Sequence, residues 1–177
     1  MFTKADIEKY FVAEKGESLI FLILGVLAIS LSIYFYSYLK SAVYKGAAVP
    51  LLVIGLIQAI VGYAVYSRAD QQRISMVYAY DMDPGKLKNE ELPRMQKVNQ
   101  RFVTYRWIEI SLVLAGLAII ILYRNNPDQQ FLFGLGLALA LESGIMLSAD
   151  YFAEKRAVIY TQGIRSFVQK SAPASGN

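Results

Sequence analysis

The chain has 177 residues, of which 55% are hydrophobic and only 18% charged, and carries a net charge of +4. It has no cysteine and no histidine. That excludes disulfides, zinc–thiolate and iron–sulfur centres, thiol nucleophiles and every Ser–His pairing.

Residues 1–17, MFTKADIEKYFVAEKGE, read as an amphipathic helix. Thr3 and Asp6 have the spacing of a capping box, with Asp in the place of the usual Glu. Ile7, Phe11 and Val12 are expected on one face. Four apolar blocks follow: 18–39, 47–66, 107–123 and 131–149. At 1.5 Å per residue each is long enough to cross a hydrocarbon layer of about 30 Å. They are apolar all round, whereas a helix on the surface of a soluble protein keeps a polar stripe. The first block exceeds a signal-peptide core and lacks a small-residue cleavage site, so it is expected to stay as an anchor.

The expected fold is all-α: an integral membrane four-helix bundle of two similarly oriented hairpins, 18–66 and 107–149, with cytoplasmic helical extensions. The linker 67–106 carries the second span onward as helix until Asp83-Pro84-Gly85 turns the chain. A new helix is expected from Leu87 or Asn89, regular from about Glu91, with Leu92, Met95, Val98 and Phe102 on one face. Residues 150–170 form a C-terminal helix, and 171–177 read as a disordered tail. The N-terminal stretch, the linker and the C-terminal segment hold all the basic residues except Lys40, Lys45 and Arg124. The positive-inside rule therefore places both termini in the cytoplasm, with a bacterial inner membrane as the expected setting.

The halves align weakly. An offset of 91 lays Lys15 on Arg106 and Gly25 on Gly116, and an offset of 82 lays Gly62 on Gly144. A duplication of this kind would give two parallel hairpins.

Glu142 is the outstanding polar residue, set about two turns inside the inner end of the fourth block. A charge at the centre of a span costs about 2.5–3.5 kcal/mol on insertion scales, so such a residue has a task. Gln58 lies at similar depth in the second block and is expected to share a face with Gly55, Ala59 and Gly62; a hydrogen bond to Glu142 would answer both groups. Glu109, one turn into the third block, extends the candidate proton or cation site. Gly25, Gly55, Ala59, Gly62, Gly116, Gly136, Ala140 and Gly144 are the candidate helix-packing positions. Asp81-Met82-Asp83 has the form of a metal-binding Asp-x-Asp, but the Pro-Gly after it makes a plain turn the better reading. No catalytic constellation, cofactor motif or metal-ligand set is evident, and no aromatic–basic platform calls for nucleic acid. The expected partners are the lipid bilayer and a second copy or another membrane protein, joined through the glycine faces or the cytoplasmic helices. The expected role is structural or accessory and non-enzymatic, with a small proton- or cation-coupled transporter as the alternative.

Overall fold

Thr3 opens the first helix as its spacing predicts: the Thr3 N–H and hydroxyl both donate to Asp6 Oδ2 at 2.8 Å. In the computed structural model, which describes residues 2–171, four long helices account for nearly all of the chain. They are α1 (Lys4–Tyr38), α2 (Ala42–Met82), α3 (Leu92–Tyr123) and α4 (Gln130–Ser171). The segment 172–177, most of the expected tail, lies outside the described residues, and Ser171 ends α4.

Each helix contains a stretch long and apolar enough to cross a membrane. Length also shows what else they do. α2 has 41 residues and α4 has 42, or about 60 Å each, twice the hydrocarbon thickness. The excess projects from one end of the molecule. The N-terminal helix and the first span are one continuous α1, since Gly16 keeps helical backbone and breaks nothing.

Asp83 ends α2, and its side chain then accepts from the Lys86 N–H at 3.2 Å, starting a short turn at Pro84–Lys86. A π-helical turn, Leu87–Glu91, leads into α3. Pro93 explains it: a proline has no N–H for the carbonyl four residues back and its ring crowds that carbonyl, so the wider turn is confined to the residues just before it.

The four projecting ends pack into a cap. Phe2, Ile7, Tyr10 and Phe11 of the N-terminal end meet Met76 and Ala79 of α2, Leu87 and Met95 of the linker, and Ala157, Tyr160 and Ile164 of α4, all buried. Leu92, Val98 and Phe102 pack against this core as their spacing predicts. Val12 does not join the face assigned to it and is 55% exposed. It lies five residues beyond Ile7, which turns it about 140° away, whereas Phe11 at four residues stays in line.

The spans are arranged differently from a closed bundle. α1 packs along α2, α2 along α4 and α4 along α3, while α3 has no comparable contact with α1 or α2. The result is a row, α1–α2–α4–α3. Of the apolar windows, 39% of α2 is buried but only 11% of α3. Lipid solvates an apolar side chain as well as another helix does, so nothing forces the row to close.

Backbone contact at glycines fixes the row. A Cβ on Gly25 would lie 2.5 Å from the Ala59 nitrogen and 2.6 Å from the Gly55 carbonyl oxygen. One on Gly116 would lie 2.7 Å from the Ala140 nitrogen and 2.9 Å from the Gly136 carbonyl oxygen. The two hairpins therefore repeat one contact, with Gly55 and Ala59 corresponding to Gly136 and Ala140, an offset of 81. This corrects the offset of 82 for the second spans. Gly62 meets the α1 backbone at Ser18 and Leu22, whereas a Cβ on Gly144 would meet nothing within 4 Å. Gly144 is thus not a packing position. Two glycines not singled out from sequence join the hairpins at the far end: a Cβ on Gly46 would overlap the Phe131 carbonyl, and one on Gly134 the Val43 carbonyl.

Candidate functional site

Between the cap core and the apolar spans lies a layer of polar and charged side chains. Its deepest members are Gln58 and Glu142, which are 0% and 7% exposed. Gln58 Nε2 donates to Glu142 Oε2 across the α2–α4 contact. At 3.4 Å this is a long N–H···O bond and a weak one. Gln58 Oε1 is buried without a partner. Gln58 is set on a stripe of α2 different from its expected neighbours: Gly55 and Gly62 press on α1, while Gln58 reaches α4. As the helix between two neighbours, α2 needs both stripes.

Nearer the cap, ion pairs tie the helices in sequence. Lys15 of α1 pairs with Asp70 of α2, Glu17 of α1 with Arg156 of α4, and Arg106 of α3 with Glu154 of α4. Together they link α2, α1, α4 and α3. Lys15 and Arg106, aligned by the offset of 91, each hold an acid on the second helix of their own hairpin. The cap adds a bidentate pair, with Arg94 Nε and Nη2 each donating to Glu91 at 2.7 Å. Its guanidinium also sits 5.8 Å from the Phe11 ring centre. Tyr10 and Tyr160 stack at 4.1 Å, and the Tyr10 hydroxyl donates to Glu14 Oε1 at 3.3 Å. Burial raises the Glu14 carboxyl above its usual range, against the lowering pull of Arg94 and Arg68.

Glu109 is not joined by a hydrogen bond to the Gln58–Glu142 pair. It is 3% exposed, and its carboxyl pairs with that of Asp150 on α4 through a side-chain hydrogen bond. It lines a groove of about 480 Å³ between α3 and α4, with Arg106, Leu147, Ser148, Asp150, Tyr151, Phe152 and Glu154. Asp150, close enough to act on the charge of Glu109, was missed from sequence. It stands at the edge of the fourth apolar block, where a carboxylate passes for an ordinary boundary residue. Ser143, fully buried beside Glu142 with its hydroxyl unpartnered, was missed because serine is common in spans. The corrected offset of 81 would have placed it opposite Gly62.

The structure therefore brings Gln58 and Glu142 together on one face of α4 and sets Glu109 apart with Asp150 on another. Among the described residues no group of three or more Asp or Glu side chains is placed to hold a metal ion. Asp81 is bound to Lys4, and Asp83 caps the turn that follows α2. Comparison with protein families, curated proteins and solved structures gives no match.

Proposed function

We propose that this chain is a non-enzymatic, multi-pass protein of a bacterial inner membrane, with both termini in the cytoplasm, acting as a structural or accessory subunit that associates in the membrane plane. The observation that carries this reading is the open row: α3 is an apolar span with one neighbouring span in its own chain. Leu114, Leu117 and Ile121 on α3 are 60%, 45% and 65% exposed, a surface available to lipid or to a second copy. The polar groups of the inner half support the same reading, since Glu142, Lys15, Glu17 and Arg106 each join one helix to another. The cap's apolar stripes are largely taken up by its own core. Ile74, Tyr78 and Met82 remain as an exposed row at i+4 spacing, which is where a cytoplasmic partner would dock.

The chain has no native cysteine, so single cysteines report cleanly. Leu114→Cys, Leu117→Cys and Ile121→Cys, oxidised in native membranes, should give a disulfide-linked dimer at one or two of the three positions. Monomer at all three, with a monomer mass in mild detergent and no co-purifying partner, would overturn the reading.

One observation favours the alternative, a proton- or cation-coupled transporter: the Glu109 carboxyl is buried and paired with another acid, Asp150, rather than with a cation. On that reading Glu142→Gln and Glu109→Gln each abolish flux in proteoliposomes without altering folding. Equal flux in wild type, variants and empty liposomes counts it out.

A further inference from the structure

We propose that the cavity at the end of the molecule away from the cap is a binding site for an anionic phosphate ester, with Arg124 holding the phosphate oxygens. The proposal rests on the four helices lying in a bilayer. It is independent of whether the chain associates with a second copy or moves anything across the membrane.

Three helix ends build the walls. A Cβ on Gly46 would overlap the Phe131 carbonyl and one on Gly134 the Val43 carbonyl, so the first turns of α2 and α4 lie in backbone contact there. The end of α3 and the connection 125–127 form the remaining side. Between them is a cavity of about 300 Å³, at the lower end of the range for small-molecule sites. Its polar lining is Arg124, Asn125, Asn126 and Gln130, with no carboxylate among the described residues. The Arg124 side chain has no ion pair or hydrogen bond among the described residues. At the cap end the contrast is plain: Lys15, Arg106 and Arg156 each meet an acid on another helix. Arg124 directly follows the third apolar block and meets none, although Asp128 lies four residues on. At the edge of a hydrocarbon layer the lowered dielectric strengthens the pull of that guanidinium on an anion.

The rest of the lining narrows the anion. A guanidinium fork matches two phosphate oxygens. Asn125, Asn126 and Gln130 add amide N–H donors around it. The Asn126 side-chain oxygen already accepts from the Asp128 N–H at 3.1 Å, which leaves its amide nitrogen to donate. Donors without a carboxylate favour a group of net negative charge, and nothing acidic in the lining answers the ammonium of a zwitterionic headgroup. The surrounding end of the molecule has the same sign. Lys40, Lys45 and Arg124 stand against Asp128 alone, three charges less one, a net +2 over 38–47 and 123–131. Val43, Tyr123 and Phe133 add apolar surface to the cavity, which the hydrocarbon part of an ester covers. Phospholipid headgroups lie at the depth where the apolar blocks end, and basic pockets between transmembrane helices recur as headgroup sites. The ester can come from an anionic phospholipid or from a soluble phosphate ester, and the chemistry recognised is the same.

The test uses the full chain in a maltoside detergent. Native mass spectrometry counts lipid per chain, so that oligomeric state does not enter the result. Phosphatidylglycerol and phosphatidylcholine with the same acyl chains are the probes. One phosphatidylglycerol per chain should be retained in preference to phosphatidylcholine. Arg124→Gln should weaken that retention at least about tenfold, the loss of one charge-assisted contact. The Arg124 side chain is exposed and unpartnered, so this variant leaves the fold intact. Lys45→Gln removes one charge from the same end but lies outside the cavity lining, and it should bind as wild type. Glycerol phosphate, followed by equilibrium dialysis, separates the sources. Phosphatidylglycerol retained with glycerol phosphate unbound assigns the site to a phospholipid; glycerol phosphate bound by wild type and not by Arg124→Gln assigns it to a soluble ester. Equal retention of the two lipids would overturn the proposal, as would binding of neither phosphatidylglycerol nor glycerol phosphate. So would equal losses in Arg124→Gln and Lys45→Gln, which would reduce the effect to net charge, or unchanged binding in Arg124→Gln.

Discussion

At the scale of single residues, the polar layer contains groups of unequal consequence. The Gln58–Glu142 bond spans two helices at a depth where water is scarce, yet its 3.4 Å length keeps it weak. Hydrogen bonds between transmembrane helices average about 0.6 kcal/mol in double-mutant cycles, and a long one belongs at or below that mean. A cycle over Gln58→Leu and Glu142→Leu, read by thermal unfolding in detergent, should therefore give a coupling of about 0.6 kcal/mol or less. A coupling several times larger would mean that the pair is tighter than its geometry. Glu14 acts through pH. Burial is the first cause of its raised pKa, so its folded-state value lies above the unfolded reference of 4.5. For a carboxyl shifted in this direction the protonated form is the one the fold prefers. Its contribution is complete below the unfolded value and is lost as pH rises through the folded value. Raising the pH from 4.5 upward should lower the unfolding temperature of wild type and have less effect on Glu14→Gln. Parallel curves for the two proteins would remove Glu14 from the account.

At the scale of elements, glycine position decides which helices touch. The Gly46 α-carbon faces the Phe131 carbonyl so closely that a methyl group there overlaps backbone rather than a movable side chain. Gly46→Ala should separate the α2 and α4 ends at a cost of about 1–3 kcal/mol, the usual range for overpacking. Gly144→Ala, facing open space, should be neutral or slightly stabilising, because alanine is the better helix former. Equal unfolding temperatures for the two variants would contradict the assigned contacts. The same contrast shows what was legible in the sequence. The four apolar blocks, the Thr3–Asp6 cap, the stop at Asp83 and the Leu92–Phe102 stripe follow from local rules: length, capping chemistry, and a period of 3.6. The partner of each glycine does not. Gly62 and Gly144 look alike in sequence, and an offset wrong by one residue turns a helical position by about 100°, enough to replace a packing glycine by Ser143. For the same reason the similar depth of Glu142 and Glu109 does not bring them together, because depth says nothing about azimuth. One faces Gln58, and the other lines a groove with Asp150.

At the scale of the whole molecule, two regions with different driving forces share four continuous helices. The cap is held by burial from water: its core gathers Phe2, Ile7, Tyr10, Phe11, Met76, Leu87, Met95, Tyr160 and Ile164. The half away from the cap is held by backbone contact at glycines and a small cluster of Ala28, Ala47, Leu51 and Ala138. The two clusters share no residue, and the ion-paired layer lies between them. Loss of one need not cost the other its interactions, because hydrocarbon keeps the spans helical whether or not the cap is folded. Ile7, which is 0% exposed at the centre of the cap, offers the lever. Ile7→Asp places an unpaired carboxylate among aromatic rings and should open the cap. Hydrogen exchange on the variant in nanodiscs should lose at least about tenfold in protection over 4–14, 72–82, 92–102 and 154–168, the range expected when a unit opens on its own. Protection over 20–36, 48–62, 110–121 and 132–146 should hold. A uniform loss along all four helices would show instead that the molecule opens as one cooperative unit, with the ion-paired layer transmitting the change into the membrane.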